Sequence, residues 1–413
     1  MSGTWVPGAD GSGFGLENLP YGVVAGADGR PRIAVRVGDH ALDLAALVDA
    51  GLLADPTGAL RAPTLNPFLA LGRPSWAAVR ARLRALLAAG NPDAARVGEA
   101  LRPLDAVAPA LPVAVGDFVD FYASLEHATN LGRLFRPGVE PLLPNWRHLP
   151  VGYHGRAGTV VVSGTPVRRP LGQRGPTRPG SPPVFGPERR LDIEVELAFV
   201  TGAGPPLGRS ISVHAAAEHI FGFVLLNDWS AREIQRWEYQ PLGPFLGKSF
   251  ATSIAPWIVP LEALEPLRVP GPPQVPPPLP YLRTDDPWAL DVELEAALTP
   301  AGSSVDTTLT RTNARGLYWN AAQQLAHATV GGATVAAGDL FASGTISGSE
   351  PGTFGSLIEL TQGGRTPLRL ADGVERTFLE DGDTVVIRGR GGAVSFGEVR
   401  GRISPASHRT ESA

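Results

Sequence analysis

Seven residues, Leu191-Asp192-Ile193-Glu194-Val195-Glu196-Leu197, alternate strictly between apolar and acidic. In a β-strand, alternate side chains share a face. The segment is therefore expected to be a strand, with Leu191, Ile193, Val195 and Leu197 in a core and Asp192, Glu194 and Glu196 in a row on the other face. Three like charges in a row repel, so a cation is expected opposite them. Two readings stay open here. The row is a solvated outer face, as in many antiparallel sheets, or it is an oxygen-rich site for Mg²⁺ or Ca²⁺.

Other short β-like runs, broken by glycine and proline, fill residues 116–413: Gly158–Val162, Phe221–Asn227, Trp257–Val259, Leu357–Leu360 and Thr384–Ile387. A few helices are expected between them, around Ala123–Phe135, Ser230–Tyr239 and Leu317–Ala328. That mixture predicts a β-rich α+β domain. Between Pro266 and Pro280, 8 of 15 residues are proline, which predicts an extended external loop. Residues 1–115 read as a separate small mixed unit. Arg32 to Val37 alternates as a strand. Ser75 to Ala89 reads as a helix capped by Ser75, striped by Val79, Leu83, Leu86 and Leu87, and stopped by Gly90. The segment Pro103 to Pro112 is expected to separate the two units. A chain of 413 residues is long for one core, in agreement with two domains.

With 43% apolar residues and a mean hydropathy of +0.02, the chain has a globular balance. A net charge of −4 offers no basic field to nucleic acid or an anionic membrane. Cysteine is absent, so disulfides and thiolate metal sites are excluded, in keeping with a reducing cytosol. The opening MSGTWVPGADGSGFG does not read as a signal peptide. No run reaches the ~18 apolar residues of a membrane span. A cytoplasmic enzyme is the expectation.

One residue stands out against this background. Of 36 Lys plus Arg, 35 are arginine, and the single lysine is Lys248 in Pro-Phe-Leu-Gly-Lys-Ser-Phe. An ammonium is a compact point charge with tetrahedral donors, whereas guanidinium is a flat fork. The apolar neighbours Phe245, Leu246 and Phe250 favour a functional lysine over a chance surface one.

Further candidates cluster in four stretches. The apolar run Phe221–Asn227 ends in Asp228, where a ligand carboxylate fits. Ser230 and Glu233 then form a capping-box pattern, and Arg232, Gln235 (or Arg236) and Tyr239 follow at helical spacing on one face. His127 lies on an expected helix, with Asp120 and Tyr122 at its entry. A lone helical histidine is usually structural and needs a partner to act as a base. The run Asn145 to Arg156 carries Tyr153 and the histidines His148 and His154, and reads as a binding loop in which the histidines are hydrogen bonders. His40 reads as a surface residue. The Gly/Ser/Thr loop around Thr345 suggests close backbone approach to a ligand, without the ending of a phosphate loop. Glu359 sits in an apolar run read as a strand, where a buried glutamate needs a partner such as a histidine.

These segments together resemble the fumarylacetoacetase family. The resemblance is carried by Asp-Phe-Tyr with His-Ala-Thr-Asn, His-Leu-Pro-Val-Gly-Tyr-His-Gly-Arg, Asp-(x)-Glu-(x)-Glu, Asn-Asp-Trp-Ser-Ala-Arg, Pro-Leu-Gly-Pro-Phe-Leu-Gly-Lys-Ser-Phe, Ala-Ser-Gly-Thr-Ile-Ser-Gly and Phe-Gly-Ser-(x)-(x)-Glu-Leu. It runs nearly end to end. It implies a small N-terminal SH3-like barrel in 1–115, a larger β-roll or sandwich domain in 116–413, and a homodimer. It implies hydrolysis of 4-fumarylacetoacetate to fumarate and acetoacetate, in tyrosine and phenylalanine catabolism, with Mg²⁺ and/or Ca²⁺. The metal ligands carried over are Asp120, Glu194, Glu196 and Asp228, with Lys248 and Thr252 linked to a second, Mg²⁺-type site. Ala251, next to Thr252, stands where the family pattern has glycine. Tyr122, Arg136, Tyr153, Gln235, Tyr239 and Thr345 match substrate-contacting positions. His127 matches the base and Glu359 its partner, while Arg232, Gln235 and Lys248 match oxyanion-stabilising groups. The competing expectations are a related hydrolase or decarboxylase of another β-keto acid, such as an acylpyruvate, and a catalytically silent Ca²⁺-binding scaffold.

Overall fold

Uninterrupted apolar sequence marks the centre of the structure. In Val195–Thr201 and Ile220–Asp228 every residue is buried. A strand covered on both faces reads as a continuous apolar run rather than an alternating one. These two strands pair antiparallel from Val195↔Asn227 to Thr201↔Ile220. Leu340–Ala342 pairs with the far side of Val195–Thr201, and Phe118–Phe121 runs parallel to Leu340–Ala342. The resulting mixed sheet has 13 strands. A five-stranded sheet, built mainly from Glu293–Thr299, Thr307–Asn313, Thr384–Gly391 and Val394–Ser404, completes a β-rich α+β fold. The computed structural model describes residues 3–407, so Met1 and Ser2 of the opening segment lie outside the described residues.

The strand predicted from Leu191 to Leu197 is broken in two. Leu191–Asp192 pairs with Ser230–Ala231, and the main ladder begins at Val195. All seven residues are buried, the acids included. The solvated-face reading is therefore overturned, because all three acids in the row are buried.

The expected SH3-like barrel is an open sheet. Tyr21–Ala25, Pro31–Val37, His40–Asp43 and Leu101–Pro103 pair in that order, and Ala108–Ala110 pairs with Tyr21–Ala25. No ladder among the described residues closes them into a ring. Tyr21–Ala25 also pairs with Trp257–Pro260, which carries the small sheet into the large one. The core is continuous across this junction. Phe221 packs edge-on against Tyr21, Phe68 and Trp76 at ring-centre distances of 5.4, 6.0 and 5.2 Å. The proline segment Pro103 to Pro112 contributes strand residues to the small sheet rather than lying apart from it.

Three local expectations are corrected by the geometry. The N-terminal helix runs Arg73–Leu87 with Gly72 at the cap and Pro74 in the first turn, so Ser75 lies inside it. The run Leu357–Leu360 is a helical turn, not a strand. A run of four residues is too short to be assigned by periodicity, and here Asp192 decides by accepting the N–H groups of Leu357 and Ile358. The proline-rich stretch is irregular from Pro270 to Leu279, while its ends carry short 3-10 turns and the strand Arg268–Val269, which pairs with Ala289–Leu290. No helix among the described residues is long and apolar enough to cross a membrane.

Candidate active site

Strand ends supply the acids. Asp120 comes from Phe118–Phe121, Asp228 ends Ile220–Asp228, Glu196 lies in Val195–Thr201 and Glu194 directly precedes it. The register places these ends side by side. Ala342 pairs with Asp120 on one side and Ala198 on the other, and Asp228 N–H donates to the Glu194 carbonyl at 3.3 Å. One oxygen from each of Asp120, Glu194, Glu196 and Asp228 lies within 4.8 Å of all the others, and all four residues are buried.

Their hydrogen bonds are incomplete. Tyr153 OH donates to Asp120 Oδ2 at 2.8 Å and reaches Asp228 Oδ2 at 3.4 Å. Gly344 N–H donates to Glu196 Oε2 at 3.1 Å. Asp120 Oδ1 and Glu196 Oε1 have no protein partner. Burial pushes the Asp120, Glu196 and Asp228 carboxyls up, and the neighbouring acids add to it in each case. Glu194 goes the other way. Burial opposes its ionisation, but Lys248, Arg232 and His127 outweigh it and hold the carboxyl low. Lys248 donates to Glu194 and, at 2.7 Å, to Asp228. Burial works against its charge, yet Asp228 and Glu194 hold the ammonium above its usual range. Thr252 Oγ1 completes this corner by donating to Asp228 Oδ1 at 2.9 Å. Crowded, desolvated carboxylates with unpartnered oxygens suit a hard divalent cation, so the residues present fit Mg²⁺ or Ca²⁺.

His127 stands beside this cluster on the helix Leu125–Phe135, which Ser124 caps by accepting the His127 N–H. Its Nδ1 meets Glu359 Oε2 at 2.7 Å, and its Nε2 lies 3.9 Å from Glu194 Oε1. Glu359 receives three further donors: Asn130 at 2.9 Å, Ser347 at 2.9 Å and Ser356 at 2.7 Å. Burial alone would raise its carboxyl, but His127 and these hydrogen bonds bring it below the usual value.

A cavity of about 590 Å³ opens onto both groups. Tyr122, Arg136, Tyr153, Gln235, Tyr239 and Thr345 all line it, as do Arg232 and Lys248. Thr345 Oγ1 and Arg136 Nε have no protein partner, although Arg136 Nη2 donates to Pro141 O at 2.6 Å. Every proposed substrate-contacting residue is thus brought to one space. Thr252 does not line it and acts on Asp228 from behind. His148 and His154 are exposed and do not line it either.

Other residues were misread or missed by sequence reasoning. The helix Arg232–Glu238 has Ala231 at its cap and no capping box. Ser230 Oγ donates to the Asp228 carbonyl instead, and Glu233 is held by Arg174 and Arg189. The helix start is served by Glu188, which accepts the N–H groups of Glu233 and Ile234. Asn130, Ser347 and Ser356 were not singled out; only their place in the quoted motifs could have flagged them. Asp192, in the acidic row, does not join the four-acid cluster.

The family described as Fumarylacetoacetate (FAA) hydrolase C-terminal matches residues 118–404, and the one described as Fumarylacetoacetase N-terminal matches residues 17–112. The chain is 48% identical to the fumarylacetoacetase of Rattus norvegicus and 47% identical to that of Homo sapiens. Each match covers 98% of this chain and 99% of the relative. Among solved structures it is similar to a fumarylacetoacetate hydrolase from Exiguobacterium antarcticum, with a TM-score of 0.53 at 18% identity over 94% of this chain and 99% of that one. That likeness speaks to the fold alone.

Proposed function

The chain belongs to the fumarylacetoacetate hydrolase family, and from that premise we propose that it hydrolyses 4-fumarylacetoacetate to fumarate and acetoacetate. The observation that carries the reading is the placement of a glutamate-held histidine against a four-acid cluster at one cavity.

Asp120, Glu194, Glu196 and Asp228 would hold the metal, with Lys248 and Thr252 bracing Asp228. A bound Mg²⁺ or Ca²⁺ supplies Lewis-acid polarisation of the diketone oxygens and offsets the carboxylate charge. The rest is done by side chains. Glu359 accepts the Nδ1–H of His127, which leaves Nε2 as the basic nitrogen facing the cluster. His127 Nε2 takes a proton from water, and Glu359 stabilises the cation that forms. The resulting hydroxide adds to the carbonyl carbon on the fumaryl side. Arg232, Gln235 and Lys248 meet the charge that develops on the carbonyl oxygen, each donor worth roughly 3 kcal/mol in a dry site. The carbon–carbon bond then breaks. Its electron pair leaves with the acetoacetate fragment as an enolate, which takes up at carbon the proton that His127 removed from water. Arg136, with the Tyr122 and Tyr239 hydroxyls, holds a substrate carboxylate.

In this reading residues 1–115 form a small open-sheet unit without catalytic groups, and residues 116–413 form a β-roll carrying all of them. The break between the family matches, at 112 and 118, supports that division. A cytoplasmic homodimer completes the proposal.

The test is diketo-acid cleavage by the purified protein before and after EDTA, then with Mg²⁺ or Ca²⁺ restored. Activity is expected to vanish and return. Turnover of fumarylacetoacetate should exceed that of acylpyruvates; the reverse preference would reject the substrate assignment.

A further inference from the structure

Asp192 is a buried carboxylate that the reaction above does not use. It lies two residues before Glu194 but turns away from the four-acid cluster and accepts four donors. Oδ1 takes the N–H groups of Ile193 at 2.8 Å and Leu357 at 2.7 Å. Oδ2 takes Ile358 N–H at 3.0 Å and Arg232 Nε at 2.7 Å. The side chain of Asp192 has no exposed surface, and that of Arg232 is 2% exposed. Backbone amides have fixed directions, so the three N–H groups fix the carboxylate plane. The carboxylate in turn fixes the Nε edge of the guanidinium.

The remaining guanidinium nitrogens are then divided. Nη1 lies 2.8 Å from Glu194 Oε1 and donates to Gln235 Oε1 at 3.1 Å. Nη2 has no protein partner. A guanidinium is a rigid planar fork, so pinning Nε and Nη1 also sets the direction of Nη2. Without Asp192 the head group could rotate and spend Nη2 on another protein acceptor.

We propose that Asp192 is a positioning residue for the reaction: it locks the Arg232 guanidinium so that Nη2 stays free for the oxygen that gains charge during cleavage. Its own anchor is the start of the turn Leu357–Leu360, the turn that carries Glu359. The positioning role rests on the reading of Arg232 as an oxyanion donor.

The experiment is a double-mutant cycle on the metal-loaded protein, using Asp192→Asn, Arg232→Gln and both together, with kcat and KM for diketo-acid cleavage and Mg²⁺ affinity measured separately. Asp192→Asn is expected to lower kcat by about 10–100-fold, as loss of an orienting partner typically does. KM should stay within about twofold and Mg²⁺ affinity within about threefold. In the Arg232→Gln background, adding Asp192→Asn should lower kcat by less than about threefold, because the group it positions is gone. If the single Asn variant fails to fold because Arg232 has lost one of its two buried carboxylate partners, the double variant removes both charges and is read against Arg232→Gln. A double variant that loses a further tenfold in kcat, or an Asp192→Asn enzyme with undiminished kcat, overturns the proposal. If Arg232→Gln itself keeps full kcat, the reading of Arg232 has failed instead, and the two failures are told apart.

Discussion

The pocket around Glu359 and the cluster around Asp120 both bury carboxylates, but they satisfy them in opposite ways. Glu359 receives His127, Asn130, Ser347 and Ser356, so donors reach both oxygens and hold the carboxyl ionised. Asp120 and Glu196 each keep an oxygen with no donor, and burial drives their carboxyls up. Protein donors complete one carboxylate in advance. The others are complete only when something positive arrives. A buried acid with donors on both oxygens orients its neighbour, whereas a group of acids left short of donors awaits a cation.

The largest effect should come from breaking the completed side. His127→Ala is expected to lower kcat by roughly 10²–10⁴-fold while Mg²⁺ affinity changes little. Steady-state kinetics and isothermal titration would check both halves, and retained turnover would reject the base assignment. Next comes the incomplete side. Asp120→Asn should weaken Mg²⁺ at least ~10–100-fold, the loss seen even for outer partners of a metal. The same change should stabilise the metal-free protein by about 1–3 kcal/mol at any pH high enough to ionise Asp120, since it removes a buried charge that has too few donors. Opposite signs for binding and stability, read by titration and by denaturant melts, would separate this site from an ordinary structural carboxylate.

The two sides also differ in the sign of their pH dependence. The Asp120, Glu196 and Asp228 carboxyls are raised on folding, so without metal their contribution is complete below the ordinary value of 3.8 to 4.5. It is lost as pH rises through the raised values. The carboxyl of Glu359 is lowered, so its contribution is present above 4.5 and is lost as pH falls through the folded value. The EDTA-treated protein should therefore lose thermal stability as pH rises above the ordinary carboxylate range, and Mg²⁺ should remove that decline. A flat profile in EDTA would show that the cluster is not charge-strained. The smallest effect is expected for Ser356→Ala. It removes one of four donors to Glu359 and should cost about 1 kcal/mol and a several-fold loss of kcat, without changing Mg²⁺ affinity.

Some of this was legible before any coordinates. Lys248 stood out as the single lysine among 35 arginines, and it lies buried between Glu194 and Asp228. Glu194, Glu196 and Asp228 could be proposed as ligands because strand alternation and strand ends are local patterns. Other features were misread for an equally local reason. Ser230 and Glu233 make a good capping pattern, but Glu188 reaches the helix start first. Leu357–Leu360 has the composition of a strand, but Asp192 caps it into a turn.

What the residues alone determined was an inventory of chemistry: which acids, which imidazole, which amine, and which short runs would be strands. Assembly belonged to the tertiary structure. His127 and Glu359 are 232 positions apart, and Asp192 meets Leu357 across 165. Periodicity reports only the face on which a side chain lies within its own element. Whether a carboxylate then meets a guanidinium, an imidazole or three other carboxylates is set by sheet register and by where distant backbone amides point. That is why three acids in one alternating row came to hold different roles.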